Sequence, residues 1–254
     1  MLAPRIVACL DVTGGRVTKG TRFVELRDQG DPVELAEAYG REGADEVTFL
    51  DISATPEHRA PLLDVVRRTA ERLFVPLTVG GGMRSVEDVE RALRAGADKV
   101  ALNSAPVRAP ELLGECARRF GAQCVVASID ARRSGDRWQV VVAGGRTPVD
   151  LDAVDWAREV ERRGAGEILL TSIDRDGVRT GYDLALTRSV ASTVKIPVVA
   201  SGGAGEAEHL RAVLQDAGAD AALVAGILHD RTTTIRALKL ALAAAGVPVR
   251  GEAS

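Results

Sequence analysis

Cysteine is scarce in this chain. The 254 residues contain three, Cys9, Cys116 and Cys124. The number is odd and two of them fall in predicted strands, so they read as reduced core thiols of a cytoplasmic protein rather than as a disulfide framework. Histidine is equally rare: His58, His209 and His229 are scattered, and no Cys/His spacing marks a metal site. Neither a metal nor another cofactor is expected. No apolar run approaches the ~18 residues of a membrane span. The opening Met-Leu-Ala-Pro-Arg enters a strand without the apolar stretch of a signal peptide, so no membrane association is expected. An excess of one charge is missing too. Against 36 Asp+Glu stand 33 Lys+Arg, a net charge of −3, which gives no electrostatic reason to expect nucleic acid or an anionic membrane as partner. The short charged runs, such as Arg132-Arg133 and Glu161-Arg162-Arg163, read as solvated helix faces.

What the chain does have is alternation. Apolar, β-branched-rich runs predict strands at Arg5–Leu10, Glu46–Leu50, Leu77–Val79, Lys99–Leu102, Cys124–Ile129, Glu167–Thr171, Val198–Ala200 and Ala221–Ala225. Amphipathic stretches such as Val33–Glu42, Leu62–Leu73 and Val86–Ala95 lie between them. Gly43, Gly96, Gly121, Gly164 and Gly218 each stand before the next strand, where helix-ending glycines belong. Eight β/α units in about 250 residues is the arithmetic of an α/β fold of the (β/α)₈ TIM-barrel kind, one domain over residues 1–254. A doubly wound sheet is the other arrangement such alternation allows, but it seldom has eight such regular units.

The chain also repeats itself. "GADEVTFLDI" (43–52) aligns with "GAGEILLTSI" (164–173) at an offset of 121, and Asp11 aligns with Asp130 at 119. "VPLTVGGG…AGADKVALNS" aligns with "IPVVASGG…AGADAALVAG" at 121, then at 122 after one inserted residue. Two half-barrels, about 1–120 and 121–254, related by a pseudo-twofold axis, would set the first strand opposite the fifth and the third opposite the seventh.

The repeat places one Gly-rich turn, "VGGGMRS", after the third strand and another, "ASGGAGE" with Ser201, Gly202 and Gly203, after the seventh. Each leads into a helix, so free backbone N–H groups converge where an anion can sit, and glycine lets it approach. The strands that follow end in Asn103-Ser104 and Ala225-Gly226. Either loop alone could be plain turn chemistry; two at symmetric positions favour binding of an elongated substrate with a phosphate at each end. Between the cradles, Asp11 and Asp130 end the first and fifth strands, at the face where such barrels do their chemistry. They read either as caps of the loops that follow or as a general acid and base flanking the substrate. A long loop, "VTGGRVTKGTRFVELRDQGDP", follows Asp11 and reads as a lid, with Lys19 reaching an anionic substrate or standing in solvent. A second, "SIDRDGVRTGYD", offers Asp174, Asp176 and Gly177 as ligand contacts or turn residues. At the other end, Arg5, Glu46, Lys99 and Glu167 begin strands, and alternation aims them at the axis. They form a neutral salt-bridged plug or four solvated charges.

Taken together, "RIVACLDV…GRVTKG", "LRDQGDPVE", "FLDISAT", "PLTVGGGMRS", "GADKVALNS", "GAGEILLTSIDRDG", "GYD" and "VVASGGAGEAEH" resemble the cyclase subunits of imidazole glycerol phosphate synthase, over residues 1 to about 250. The resemblance implies a half-barrel-repeat lyase of histidine biosynthesis. Its bisphosphorylated substrate is the phosphoribulosyl form of formimino-aminoimidazole carboxamide ribonucleotide. Its partner is a glutaminase subunit at the N-terminal face, which sends ammonia through the barrel, and its products are imidazole glycerol phosphate and aminoimidazole carboxamide ribonucleotide. It implies Asp11 and Asp130 as the acid/base pair and Lys19 as the lid lysine. Gly82, Asn103 and Ser104 would hold one phosphate, and Asp176, Gly177, Gly203, Ala225 and Gly226 the other. Arg5, Glu46, Lys99 and Glu167 would be the ammonia gate. The chain departs from the family pattern at Arg22 and Glu25, where two asparagines are usual, and at Val149-Asp150, where a Thr-Gly pair is usual. It departs again at Gly226, in place of serine, and at Asp230, in place of an aromatic residue. Two other readings share the pattern: a related sugar isomerase or diverged paralogue, and a non-catalytic bisphosphate-binding or glutaminase-scaffold barrel.

Overall fold

The apolar runs become parallel strands that close on themselves. The computed structural model describes residues 3–21, 24–54 and 62–251, and of residues 19–21 and 24–28 the backbone alone. In chain order the strands are β1 (Arg5–Thr13), β2 (Arg16–Thr21), β3 (Val24–Gly30), β4 (Glu46–Asp51), β5 (Leu77–Gly80), β6 (Lys99–Leu102), β7 (Val125–Ser134), β8 (Arg137–Val142), β9 (Thr147–Asp152), β10 (Glu167–Ser172), β11 (Val198–Ser201) and β12 (Ala221–Val224). Eight of them pair in parallel in the order β1-β4-β5-β6-β7-β10-β11-β12. β12 then returns to β1, with Arg5 opposite Ala221, and the (β/α)₈ barrel is closed.

The helices are α1 (Pro32–Arg41), α2 (Leu63–Ala70), α3 (Val86–Arg94), α4 (Ser104–Arg108), α5 (Glu111–Phe120), α6 (Ala153–Arg162), α7 (Leu184–Ala191), α8 (Ala207–Arg211), α9 (Gly226–His229) and α10 (Ile235–Ala244). Because the barrel is covered outside and filled inside, its strands are apolar on both faces. On β1, Ile6, Ala8 and Leu10 join the outer core under the helices. Val7 and Cys9 belong instead to the inner core, with Ala101, Val126, Leu169, Val199 and Leu223. Cys9 and Cys116 are buried, Cys124 is half-buried, and all three are free thiols. Among the described residues no helix is long and apolar enough to cross a membrane. The five glycines before strands have φ between 77° and 110°, the left-handed region that a chain leaving a helix uses and a Cβ disfavours.

The structure corrects the reading of the segment after Asp11. It is not a loop: β1 runs on to Thr13, turns at Gly14-Gly15 and pairs antiparallel with β2, which pairs with β3. Both turn glycines have positive φ, 57° and 81°, as a two-residue hairpin turn matched to strand twist requires. The other half repeats the device: β7 runs on to Ser134 and pairs antiparallel with β8, and β8 with β9.

Each hairpin ends in an aspartate that caps a helix. Asp31 accepts from the N–H groups of Val33 (2.8 Å) and Glu34 (3.3 Å) at the start of α1. Asp152 accepts from Val154 (2.8 Å) and Asp155 (3.2 Å) at the start of α6. Losing such a cap costs about 1 kcal/mol. Asp31→Ala and Asp152→Ala are each expected to lose about that much in chemical denaturation, and the double variant about 2 kcal/mol, since caps with no shared partner add. A double variant no weaker than either single one would show that the capped helices do not contribute independently.

Candidate active site

Side chains on a strand alternate, so the parity that sends Val7 and Cys9 inward also sends Asp11 inward at the C-terminal mouth. β7 does the same with Val126, Ser128 and Asp130. Asp11 and Asp130 line one cavity, which Asn103, Asp176, Gly177 and Ser201 also border. Asp130 is 8% exposed. It accepts a hydrogen bond from Asn103 Nδ2 at 3.2 Å, and the same nitrogen donates to the Ser128 carbonyl at 3.1 Å. Cys9 Sγ stands 4.0 Å from Asp11 Oδ1.

Burial is the chief reason that both carboxyls titrate high. Asp11 is pushed up to about 7, with the negative charges of Asp176 and Asp130 adding to the cost of ionisation. Asp130 is also pushed up to about 7 by burial and by Asp176, against the hydrogen bonds from Asn103 and Thr171 that favour its charged form. Asp176, in the loop after β10, is raised by burial to about 6. The charge of Asp176 discourages ionisation of both Asp11 and Asp130, so these carboxyls share protons near neutrality and titrate as a coupled group.

The Gly-rich turns flank this group. A Cβ on Gly81 would stand 2.2 Å from the carbonyl oxygen of Asp51, and one on Gly202 2.7 Å from that of Ser172. Only glycine fits at these two equivalent places, where each turn folds back over the neighbouring strand end. Gly80 and Gly81 line the cavity, whereas Gly82 is buried beside it and is not part of the lining. Ser104 opens the short helix α4; its hydroxyl donates to Asn103 Oδ1 (3.0 Å) and accepts from the Ala143 N–H (3.0 Å). Gly226 opens α9 at the equivalent place, and Gly202, Gly203 and Ala225 complete that side. Among the described residues, no group of His, Cys, Asp or Glu is arranged to hold a metal.

Other residues singled out in the sequence fall elsewhere. Asp174 accepts from the Arg133 N–H at 2.7 Å and ties the loop after β10 to β7. Lys19 lies on β2 opposite Arg27, but its side chain, the Glu25 side chain and all of Arg22 are outside the described residues. Val149 and Asp150 sit on β9, away from the cavity lining, and exposed Asp150 pairs with Arg137 at 3.0 Å. Among the lining residues that escaped the sequence reading are Asp51, which accepts from the Ala54 N–H at 3.0 Å, Arg179, and His229, bonded through Nδ1 to the Tyr39 hydroxyl at 2.8 Å. Asp51 could have been found as the polar end of "TFLD"; nothing in the sequence marks Arg179.

At the opposite end the four strand-start charges form a closed ring. Arg5 bonds Glu46 at 2.9 Å and also Glu167; Lys99 Nζ lies 3.0 Å from Glu46 and 2.7 Å from Glu167. Thr78 donates a further bond to Glu46 at 2.6 Å. Both glutamates are buried, and the alternative of four solvated charges is set aside.

The carboxyl cluster carries a consequence for stability. A buried carboxyl whose folded pKa exceeds its unfolded value binds more protons folded than unfolded, so stability falls as pH rises between the two values. For Asp130 that window runs from about 4 to about 7. Asp130→Asn, of nearly the same shape but unable to ionise, is expected to be more stable than the parent, by on the order of a few kcal/mol at pH 8. In urea melts the gain should grow from pH 4 to 7 and then level off. A gain independent of pH, or a loss at pH 8, would contradict the assigned shift.

The histidine biosynthesis protein family matches residues 5–234. "Imidazole glycerol phosphate synthase subunit HisF" of Myxococcus xanthus (strain DK1622) is 68% identical over 250 residues, 98% of this chain and 99% of that protein. A match over nearly the whole barrel, both cradles and both mouth aspartates included, places the chain in the histidine biosynthesis protein family.

Proposed function

We propose that the chain is the cyclase subunit of an imidazole glycerol phosphate synthase, a lyase of histidine biosynthesis that works with a glutaminase subunit. The observation that carries this reading is the near full-length likeness to a HisF subunit. The geometry supplies the chemistry. A substrate with a phosphate at each end lies across the mouth, one phosphate near Asn103 and Ser104, the other near Gly177, Gly203, Ala225 and Gly226. Asp11 and Asp130 then flank its middle.

Building an imidazole ring with ammonia makes new C–N bonds, breaks an old one and releases the carbonyl oxygen as water, so protons must leave the attacking nitrogen and reach both the leaving nitrogen and that oxygen. Two carboxyls that titrate near 7 serve both needs at neutral pH, since one can be protonated while the other is charged. Asp176 keeps their affinity for protons high by its own charge.

Ammonia is the form of nitrogen that an apolar passage admits, because ammonium would have to shed its water in a medium that does not replace it. The barrel interior above the ionic ring is lined by Val7, Ala101, Val126, Leu169 and Val199. Below the ring, a depression of about 880 Å³ opens at the N-terminal face, bordered by Pro4, Pro76, Gln123, Pro197 and Val247. In this reading the glutaminase covers that depression, and Arg5, Glu46, Lys99 and Glu167 gate its ammonia.

Turnover of the bisphosphorylated substrate with ammonium salts at high pH, without partner, tests the assignment. The intact chain is expected to release imidazole glycerol phosphate, and Asp11→Asn and Asp130→Asn are each expected to lose 10²-fold or more of kcat. No turnover by the intact chain would sink the cyclase reading, and undiminished variants would sink the acid–base roles. A cognate glutaminase should co-migrate with the chain at micromolar concentration. Failure to do so with a substrate analogue present would remove the partner.

A further inference from the structure

A substrate with two phosphates brings about four negative charges to a mouth that already holds Asp11, Asp51, Asp130 and Asp176. Backbone N–H groups alone leave that excess uncompensated. Among the described residues, one lysine or arginine lines the cavity: Arg179. We propose that Arg179 binds one terminal phosphate, at the side formed by Gly177, Gly203 and Gly226, and that Asp230 is the positioning residue that holds its guanidinium there. The proposal rests on the bisphosphate reading above.

Three observations support it. First, both protein bonds of the guanidinium leave from one nitrogen. Arg179 Nη2 donates to the Gly226 carbonyl at 3.1 Å and to the Asp230 carboxylate. Nε and Nη1 have no partner among the described residues, so each keeps an N–H that can donate to an anion. Second, Arg179 has φ +62°, a conformation uncommon for a residue with a Cβ and found where surroundings impose it. The surroundings are visible. A Cβ on Gly205 would stand 2.2 Å from the Arg179 carbonyl oxygen, and the Gly181 N–H donates to the Gly203 carbonyl at 2.9 Å. The loop is laid directly on the Gly-rich turn, and the turn fixes where Arg179 begins. Third, a carboxylate next to the first residue of α9 would repel phosphate unless neutralised. Asp230 is neutralised by Arg179, with the two side chains 35% and 34% exposed. The pair is then a preset clamp: Asp230 keeps the side chain over Gly226, and phosphate takes the N–H donors that Nε and Nη1 leave free.

The test is inorganic phosphate titrated into the full chain and followed by amide NMR shifts, with Gly203 and Gly226 reporting this side and Ser104 the other. In Arg179→Ala and Arg179→Gly, phosphate affinity read at Gly226 should fall at least tenfold and that read at Ser104 less than twofold. The glycine variant also relieves the positive φ, so a loss shared by both reports the guanidinium and not the loop. Arg179→Lys should recover part of the loss. Asp230→Ala should weaken binding about threefold, and Asp230→Asn, which keeps an acceptor, by less. With the bisphosphorylated substrate, the Arg179 variants should show the change in KM more than in kcat. Affinity at Gly226 within twofold of the parent in both Arg179 variants would overturn the clamp and leave the cyclase reading intact. An unchanged Asp230→Ala would overturn the role of Asp230. No phosphate shift at either Gly226 or Ser104 in the parent would overturn the bisphosphate reading and the clamp with it.

Discussion

Asp11, Asp130 and Asp176 share a barrel mouth where burial raises all three, and the charge of Asp176 makes it harder for Asp11 and Asp130 to ionise. Such a cluster is unfavourable to the folded state wherever its members are charged. It persists because the barrel leaves it no room to relax. Asp11 and Asp130 stand on strands hydrogen-bonded on both edges, and Asn103 holds the Asp130 carboxylate through a side chain that also grips β7. Stability is given up locally, and two carboxyls change protonation near neutral pH, the range in which the proposed acid–base chemistry would be most effective.

The same constraint accounts for the two-ended design. Strand alternation carries each inward residue along the axis, so β1 that ends with Asp11 at the mouth begins with Arg5 at the floor. There the charges are balanced, two positive and two negative, and bonded in a closed ring. A buried ion ring gains little over apolar packing, and its presence points to a floor that has to be polar or able to part. Between floor and mouth the inward side chains are uncharged, apolar ones such as Val7, Val126 and Leu169 with the hydroxyl of Ser128 among them. Charge is confined to the two ends, which suits a reaction that draws a neutral nitrogen nucleophile from one side and a polyanion from the other.

Much of this was legible in the sequence because it depends on period and repetition. The eight strands and their inward parity follow from two-residue alternation, and the internal repeat set Asp11 against Asp130 before any coordinates. The two antiparallel additions were missed for a physical reason. β2 and β3 hold few apolar residues among charged and polar ones (RVTKGT and VELRDQG), so alternation gave too weak a signal there, and only the Gly14-Gly15 pair marked a turn. β9 alternates Val149 and Leu151 with Asp150 and Asp152, but two apolar residues after a Thr-Pro start are too short a pattern to mark a strand. Arg179 was invisible because its place depends on a positive φ imposed by glycines more than twenty residues away in sequence. The turn after β5 brings Gly81 to the cavity, with Gly82 buried beside it. Of the departures from the family pattern, Gly226 and Asp230 lie where a phosphate is proposed to bind, and Val149-Asp150 do not touch the cavity.

The central claim is that burial and mutual repulsion bring the two mouth carboxyls close to neutrality. The direct measurement is a carboxyl ¹³C NMR titration of the intact chain, with Asp11 and Asp130 assigned by single Asp→Asn replacement. The account expects apparent midpoints near 7 for the pair, with each curve moving down when the other carboxyl is replaced. Midpoints near 4, the ordinary value of an exposed aspartate, and curves indifferent to each other, would contradict it.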